Sequence, residues 1–223
     1  MTISIKIISV KDLKEKPNQE RVWDEVSELW ESFRVKPIPI AEEFLQDKKG
    51  KILDLGCGSG RNMIAGEGKT YYEVDFSEKQ LKVGKTKAEK GKIDAEFFKL
   101  KADKLPFEDG FFDWGIFIAA LHCIEDEGER LNALKELYRV LKKDAEAMIT
   151  VWDAGEGRFS GKGKEVYMEW KVNDTPHMRY YYLYDKEEIV DLLKQVGFEI
   201  LEIYEPREKD RFSRKNLILR VKK

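Results

Sequence analysis

The most chemically suggestive stretch of this chain is Asp54-Leu55-Gly56-Cys57-Gly58-Ser59-Gly60. An apolar run, Lys51-Ile52-Leu53, precedes it and reads as a buried strand. Tyr71-Tyr72-Glu73-Val74-Asp75 follows as a second strand with an acidic end. Glycines let a backbone approach a ligand closely and take torsions closed to other residues. A carboxylate at the next strand's end accepts hydrogen bonds from ribose hydroxyls. Strand, glycine loop, and strand ending in an acid together predict a pocket for an adenosine-containing cofactor. The spacing is G-x-G-x-G, not the G-x-G-x-x-G of dinucleotide sites. Asp54 would repel a pyrophosphate, yet it suits a ligand with an ammonium group and a sulfonium. S-adenosylmethionine is such a ligand. The competing reading is a bare strand-to-helix turn.

Two later segments strengthen the cofactor reading. Leu100-Lys101-Ala102-Asp103-Lys104-Leu105-Pro106-Phe107 follows an apolar Ala95-Glu96-Phe97-Phe98, a third strand. An Asp placed there can accept from the adenine amine. The near-continuous apolar run Phe111 to His122 fits a central parallel strand. Its carboxyl end would open over the crevice where open α/β sheets bind ligands. In order and spacing, residues 50–152 resemble the class I S-adenosylmethionine-dependent methyltransferases. The resemblance implies an α/β, doubly wound Rossmann-like fold: a mostly parallel seven-stranded sheet closed by a C-terminal antiparallel hairpin. It implies a cofactor set of Asp54, Gly56, Cys57, Gly58, Gly60, Asp75, Phe76, Ala102, Asp103, Lys104, Ile118 and Ala119, with no metal.

The elements that must hold these residues are legible along the chain. The 223 residues suit a single domain with a full core. Within it we expect an N-terminal helical cap (1–46), a cofactor-binding core (51–152), a substrate-side insertion (153–184) and a C-terminal helix and hairpin (185–223). The first 18 residues are a leader with at most a short edge strand. Val22, Trp23, Val26, Leu29, Trp30 and Phe33 recur at helical spacing. Pro37 and Pro39 break that helix before a short one over 40–46. The span from Gly60 to Tyr71 is too short for a full crossover helix. Ser77 with Gln80 opens a helix to about Lys90, and 129–141 is amphipathic. Residues 145–152 read as strand five. Residues 153–178, rich in Gly and charge, read as an irregular excursion where lids belong, with His177 incidental in it and Tyr180–Tyr184 an ordinary strand edge. Asp185 with Glu188 starts a last helix that Gly197 ends. Strands over 198–204 and 216–222 complete the chain.

Composition narrows the partners. No apolar run approaches the ~18 residues of a membrane span, and Met1 to Lys6 lacks a secretory pattern. A cytoplasmic protein is expected, with Cys57 and Cys123 as reduced thiols that lack a metal spacing. The 38% of charged residues, mostly Lys and Glu, suits a thermophile's ion-pair networks. Net charge is −2, but Arg207 to Lys223 is strongly basic, and Arg158, Lys162, Lys164 and Lys171 add to it. Such zones are either solvated surface or phosphate contacts.

Flanking segments resemble a narrower family, the tRNA wobble-uridine methyltransferases that esterify 5-carboxymethyluridine. Arg34, Pro37 and Pro39 match its Thr-Arg…Pro-Trp-Pro pattern, where Phe33 and Ile38 depart. His122 matches the first of two adjacent histidines, and Cys123 replaces the second. Arg179-Tyr180-Tyr181 matches an Arg-Tyr-Tyr-His run, where Tyr182 departs. The resemblance implies tRNA as partner, with neither DNA nor membrane, and makes a small zinc-binding activator subunit conceivable. A carboxylate nucleophile is already ionised near neutral pH, so the site needs orientation and donors rather than a strong base. Arg34 and Arg179 are candidates to hold it, with His122 as a nearby donor. Trp152 and Tyr181 are candidates to receive the base. Structural readings compete at each: His122 as a satisfied imidazole, Arg34 paired with a helix carboxylate, Trp152 as plain core. Two other functions compete as well, a small-molecule methyltransferase and a non-catalytic cofactor-binding subunit.

Overall fold

The computed structural model describes residues 6–13, 15–32, 36–207 and 210–223. Its centre is a seven-stranded sheet built on β2 (Gly50–Leu55), β3 (Lys69–Asp75), β4 (Ala95–Lys99), β5 (Phe112–Ile118), β6 (Leu141–Trp152), β9 (Glu199–Ile203) and β10 (Asn216–Lys222). Spatial order is β4-β3-β2-β5-β6-β10-β9. The first five strands run parallel, and β10 pairs antiparallel with both β6 and β9. This is the doubly wound sheet with a closing hairpin that the sequence predicts.

Side chains alternate between two cores because successive strand residues face opposite ways. On one face lie Leu53 and Leu55 of β2, Phe117 of β5, and Ala147, Ile149 and Val151 of β6. They pack on Leu134 and Leu137 of α4 (Glu127–Val140) and on Ile189 and Leu193 of α5 (Lys186–Val196). On the other face lie Ile52, Ile116, Ile118 and Met148. These pack on Ile40, Phe44 and Leu45 of α2 (Pro39–Leu45) and Ala88 of α3 (Glu78–Gly91). Most of these side chains are fully enclosed, and each contributes roughly 1.5–3 kcal/mol through burial.

Caps fix where the helices begin. The Ser77 hydroxyl accepts from the Gln80 N–H at 3.2 Å, and Asp185 with Glu188 forms a full capping box. Gly197 ends α5 in the left-handed region at φ 115°. Between β2 and β3 there are only turns. The amphipathic helix starts at Glu127, because Asp126 caps it by accepting from the Glu129 N–H at 2.9 Å.

One sequence expectation fails. Much of the supposed irregular stretch 153–178 is a hairpin, β7 (Glu165–Val172) and β8 (Thr175–Tyr182). Its tight turn is Asn173-Asp174, both at positive φ (48° and 63°), which matches the twist of antiparallel strands. β1 (Ile7–Ser9) adds antiparallel to β7, giving a second sheet ordered β1-β7-β8. His177 therefore sits on β8, not in a loop, and its Nδ1 lies 3.0 Å from Glu25 of α1 (Gln19–Ser32). Helix α1 leans on this sheet, and the Gln19 side chain bridges to it in both directions. Its Nε2 donates to the Met178 carbonyl (3.1 Å) and its Oε1 accepts from the Tyr180 N–H (2.9 Å). Among the described residues no helix is long and apolar enough to cross a membrane.

Candidate active site

The carboxyl ends of β2 and β5 diverge at the point where strand order reverses, and a cavity of ≈ 750 Å³ opens there. Its first half is the glycine loop after β2. Gly56 and Cys57 donate backbone N–H groups to the Val74 carbonyl at 2.7 and 3.0 Å. Gly58, at φ 57°, lines the cavity; a Cβ there would meet nothing nearer than Gln80 Oε1 at 3.8 Å. Any side chain at Gly58 would thus project into the space a ligand needs.

Asp75 fixes that loop and also faces the cavity. Its Oδ2 accepts from the Gly58 N–H (2.9 Å) and its Oδ1 from the Ser77 N–H (2.8 Å). Burial raises its pKa to about 6, against those backbone donors, and the nearby Asp24 charge adds to the rise. Beneath the loop, Asp54 and Glu73 are register partners on β2 and β3. Burial pushes both well up, with the neighbouring carboxylates adding to it. Asp54 Oδ2 is buried without a hydrogen-bond partner among the described residues. Of the three carboxyls only Asp75 lines the cavity, with Asp54 and Glu73 buried behind it, so this wall favours a cation over a phosphate.

Most of the predicted cofactor set converges here. Gly56, Cys57, Gly58, Asp75, Phe76, Ala102, Asp103, Ile118 and Ala119 line the cavity. Ala119 takes φ 54°, a strained value for a residue with a Cβ, held by its N–H donating to Thr150 Oγ1 at 2.9 Å. Asp54, Gly60 and Lys104 are not on the wall. Asp54 is 1% exposed and reaches the cavity only through Asn62 and Arg61, which do line it.

The second half of the cavity lies between β6 and the small sheet. Arg179 of β8 is buried, and its guanidinium lies 4.4–5.6 Å from the ring centroids of Trp170, Trp30, Tyr181 and Trp23. Its Nε has no hydrogen-bond partner, and no carboxylate pairs with it among the described residues. Desolvation accordingly lowers its pKa, although an arginine stays charged. His122 accepts the Trp152 N–H at Nδ1 (3.2 Å), which leaves the ring proton on Nε2. Trp152 does not offer the open stacking face expected of it. It stacks on Tyr181 at 3.9 Å and on His122 at 4.9 Å, and the Arg158 guanidinium lies 4.5 Å from its centroid. Arg34, Phe33 and Val35 lie outside the described residues.

Sequence reasoning missed Trp170 and Met168 as wall residues; Arg158, Arg211 and Lys215, read from the sequence only as parts of basic zones, line the wall too. For the first two a signal existed: Val166, Met168, Trp170 and Val172 alternate with more polar neighbours up to the Asn173-Asp174 turn.

Comparison with known proteins agrees with this geometry. The family described as methyltransferase domain matches residues 53–149, the span from β2 to β6. The tRNA (carboxymethyluridine(34)-5-O)-methyltransferase of Schizosaccharomyces pombe is 27% identical over 212 residues, covering 82% of this chain and 89% of that protein. A methyltransferase structure from Methanosarcina mazei superposes with a TM-score of 0.66 at 23% identity, covering 84% of this chain and 98% of the other. The 1,6-didemethyltoxoflavin-N1-methyltransferase of Burkholderia thailandensis superposes at 0.69 and 17% identity, covering 97% and 94%. The two superpositions establish the fold. The matched domain and the methyltransferase relatives give the activity: the protein is an S-adenosylmethionine-dependent methyltransferase.

Proposed function

We propose that the enzyme methylates a carboxylate oxygen, that of the 5-carboxymethyl group on the wobble uridine of tRNA. The carrying observation is Arg179, a buried cation on the cavity wall with no carboxylate partner among the described residues. A sealed charge is costly unless something neutralises it. An anionic acceptor would supply the missing counter-charge. The likeness to the fission-yeast tRNA enzyme favours a carboxymethyluridine as that acceptor.

The residues divide the work. Asp75 would hold the ribose hydroxyls, the Gly56–Gly58 backbone the methionine end, and Ala102 with Asp103 the adenine. When bound there, the cofactor supplies an electrophilic methyl on a sulfonium. Arg179 would bind one acceptor oxygen and leave the other to attack. Its aromatic collar prevents it from swinging to a bidentate grip that would quench the nucleophile. His122 Nε2–H would orient the acceptor, and no residue has to remove a proton from an acid already ionised. The C–S bond breaks as the new O–C bond forms, and the electron pair leaves with sulfur.

Mass spectrometry of nucleosides from tRNA incubated with enzyme and cofactor tests this. Conversion of 5-carboxymethyluridine to its methyl ester is expected. Transfer to a panel of small carboxylic acids with none to tRNA would replace the proposal with a small-molecule methyltransferase.

A further inference from the structure

Several basic side chains on the surface are each met by an acid of their own. Lys164 pairs with Asp185 and Glu188, Arg207 forks onto Glu43, and Lys222 meets Asp144. One corner of the cavity differs. Arg158, Arg211 and Lys215 all line it. Among the described residues the one carboxylate paired with them is Glu156, 2.7 Å from Arg158 Nε and 3.0 Å from Lys215 Nζ. Asp210 is turned back into its own loop, its Oδ1 accepting the Phe212 N–H at 2.8 Å. Arg211 is exposed, with no carboxylate partner among the described residues.

The corner is built rather than incidental. Arg158 is clamped over the Trp152 and Phe159 rings at 4.5 and 4.4 Å. Arg211 is near enough that its charge opposes that of Arg158. The segment carrying Arg211 and Lys215 is pinned where Asn216 of β10 pairs with Trp152 of β6, so all three cations are referred to one strand end. Three cations beside one carboxylate, on the wall of a cavity that also holds a separate buried arginine, call for an anion larger than a single carboxyl group.

We propose that Arg158, Arg211 and Lys215 form a subsite for an RNA phosphodiester flanking the nucleotide whose base enters the cavity. The inference rests on the RNA reading above and deepens it. Arg179 would meet the acid on the base, and the three cations would meet the backbone next to it.

The test uses the full chain with S-adenosylhomocysteine and a fluorescent anticodon stem-loop RNA, read by anisotropy across a salt series. Arg211→Glu should weaken RNA binding by about tenfold or more and make the log Kd against log salt slope shallower by about one. Lys215→Gln should do the same to a smaller degree. S-adenosylhomocysteine affinity, measured by calorimetry, should not change, which also establishes that the variants are folded. RNA affinity within twofold of the parent protein with an unchanged salt slope in both variants would overturn the subsite. Arg211-dependent RNA binding with no methylated uridine by mass spectrometry would uphold the subsite and defeat the wobble-uridine acceptor.

Discussion

Arg179 makes a test sharper than most active-site substitutions. Its charge is enclosed by aromatic faces and lacks an anionic partner among the described residues. Arg179→Met keeps the volume and removes the charge. Turnover on the acceptor should fall roughly 10- to 100-fold, the loss of one charge-assisted hydrogen bond at about 1.5–3 kcal/mol. Cofactor affinity should hold, and stability to denaturant should stay level or rise, because an uncompensated buried charge is gone. Loss of cofactor binding would remove Arg179 from the acceptor side. Asp75→Asn should behave in the opposite way, weakening S-adenosylmethionine binding at least tenfold by calorimetry and lowering the stability of the free protein, because an amide nitrogen cannot accept one of the two backbone N–H groups the carboxylate holds. Asp75 was readable in the sequence because a strand's last residue has little freedom of placement. The cage around Arg179 was not. Besides Tyr181 of its own strand, its rings come from Trp23, Trp30 and Trp170, which only the fold brings to it.

Among the elements, those with local signals were the legible ones. Ser77 with Gln80 and Asp185 with Glu188 announce their helices through backbone satisfaction that needs no distant partner. The β7–β8 hairpin was hidden because its flanks are Gly-rich and charged and its turn lacks the favoured Asn-Gly pair. Asp174 pays a steric penalty at φ 63°, so Asp174→Gly should stabilise the protein by about 0.5 kcal/mol in urea unfolding. A decrease would mean that the Asp174 side chain is holding the turn. Helix α3 carries a constraint that composition conceals. A Cβ on Gly84 would lie 2.8 Å from Phe97 Cε1 and 3.4 Å from the Ser59 carbonyl carbon, so that helix touches the back of the glycine loop. Gly84→Val should push the loop outward and weaken cofactor binding severalfold while activity on saturating cofactor survives, as a KM-against-kcat comparison would reveal.

At the scale of the whole molecule, ligand and proton compete for the carboxyl cluster. Asp75 and Asp54 have native pKa values above the unfolded value near 3.8, so the native state holds protons that the unfolded chain has released. Stability of the free protein should therefore fall as pH rises from about 4 through about 6 for Asp75 and on to about 8 for Asp54. The cofactor's positive charges favour the ionised cluster, so the thermal shift it causes should grow over the same interval. At a hundredfold excess over Kd it is worth about 2.7 kcal/mol, or about 5–10 °C for a chain of this size. A shift independent of pH, by calorimetry, would remove the cluster from cofactor recognition. Beyond this, the Gln19 amide acts as a short prosthetic strand, splicing the amino-terminal helix onto a hairpin some 160 positions later in the chain. The wall that carries Arg179 is thus assembled from separate stretches outside the 53–149 span, and on the reading proposed above a lineage can retool what it modifies by redrafting those stretches while the matched domain stays untouched.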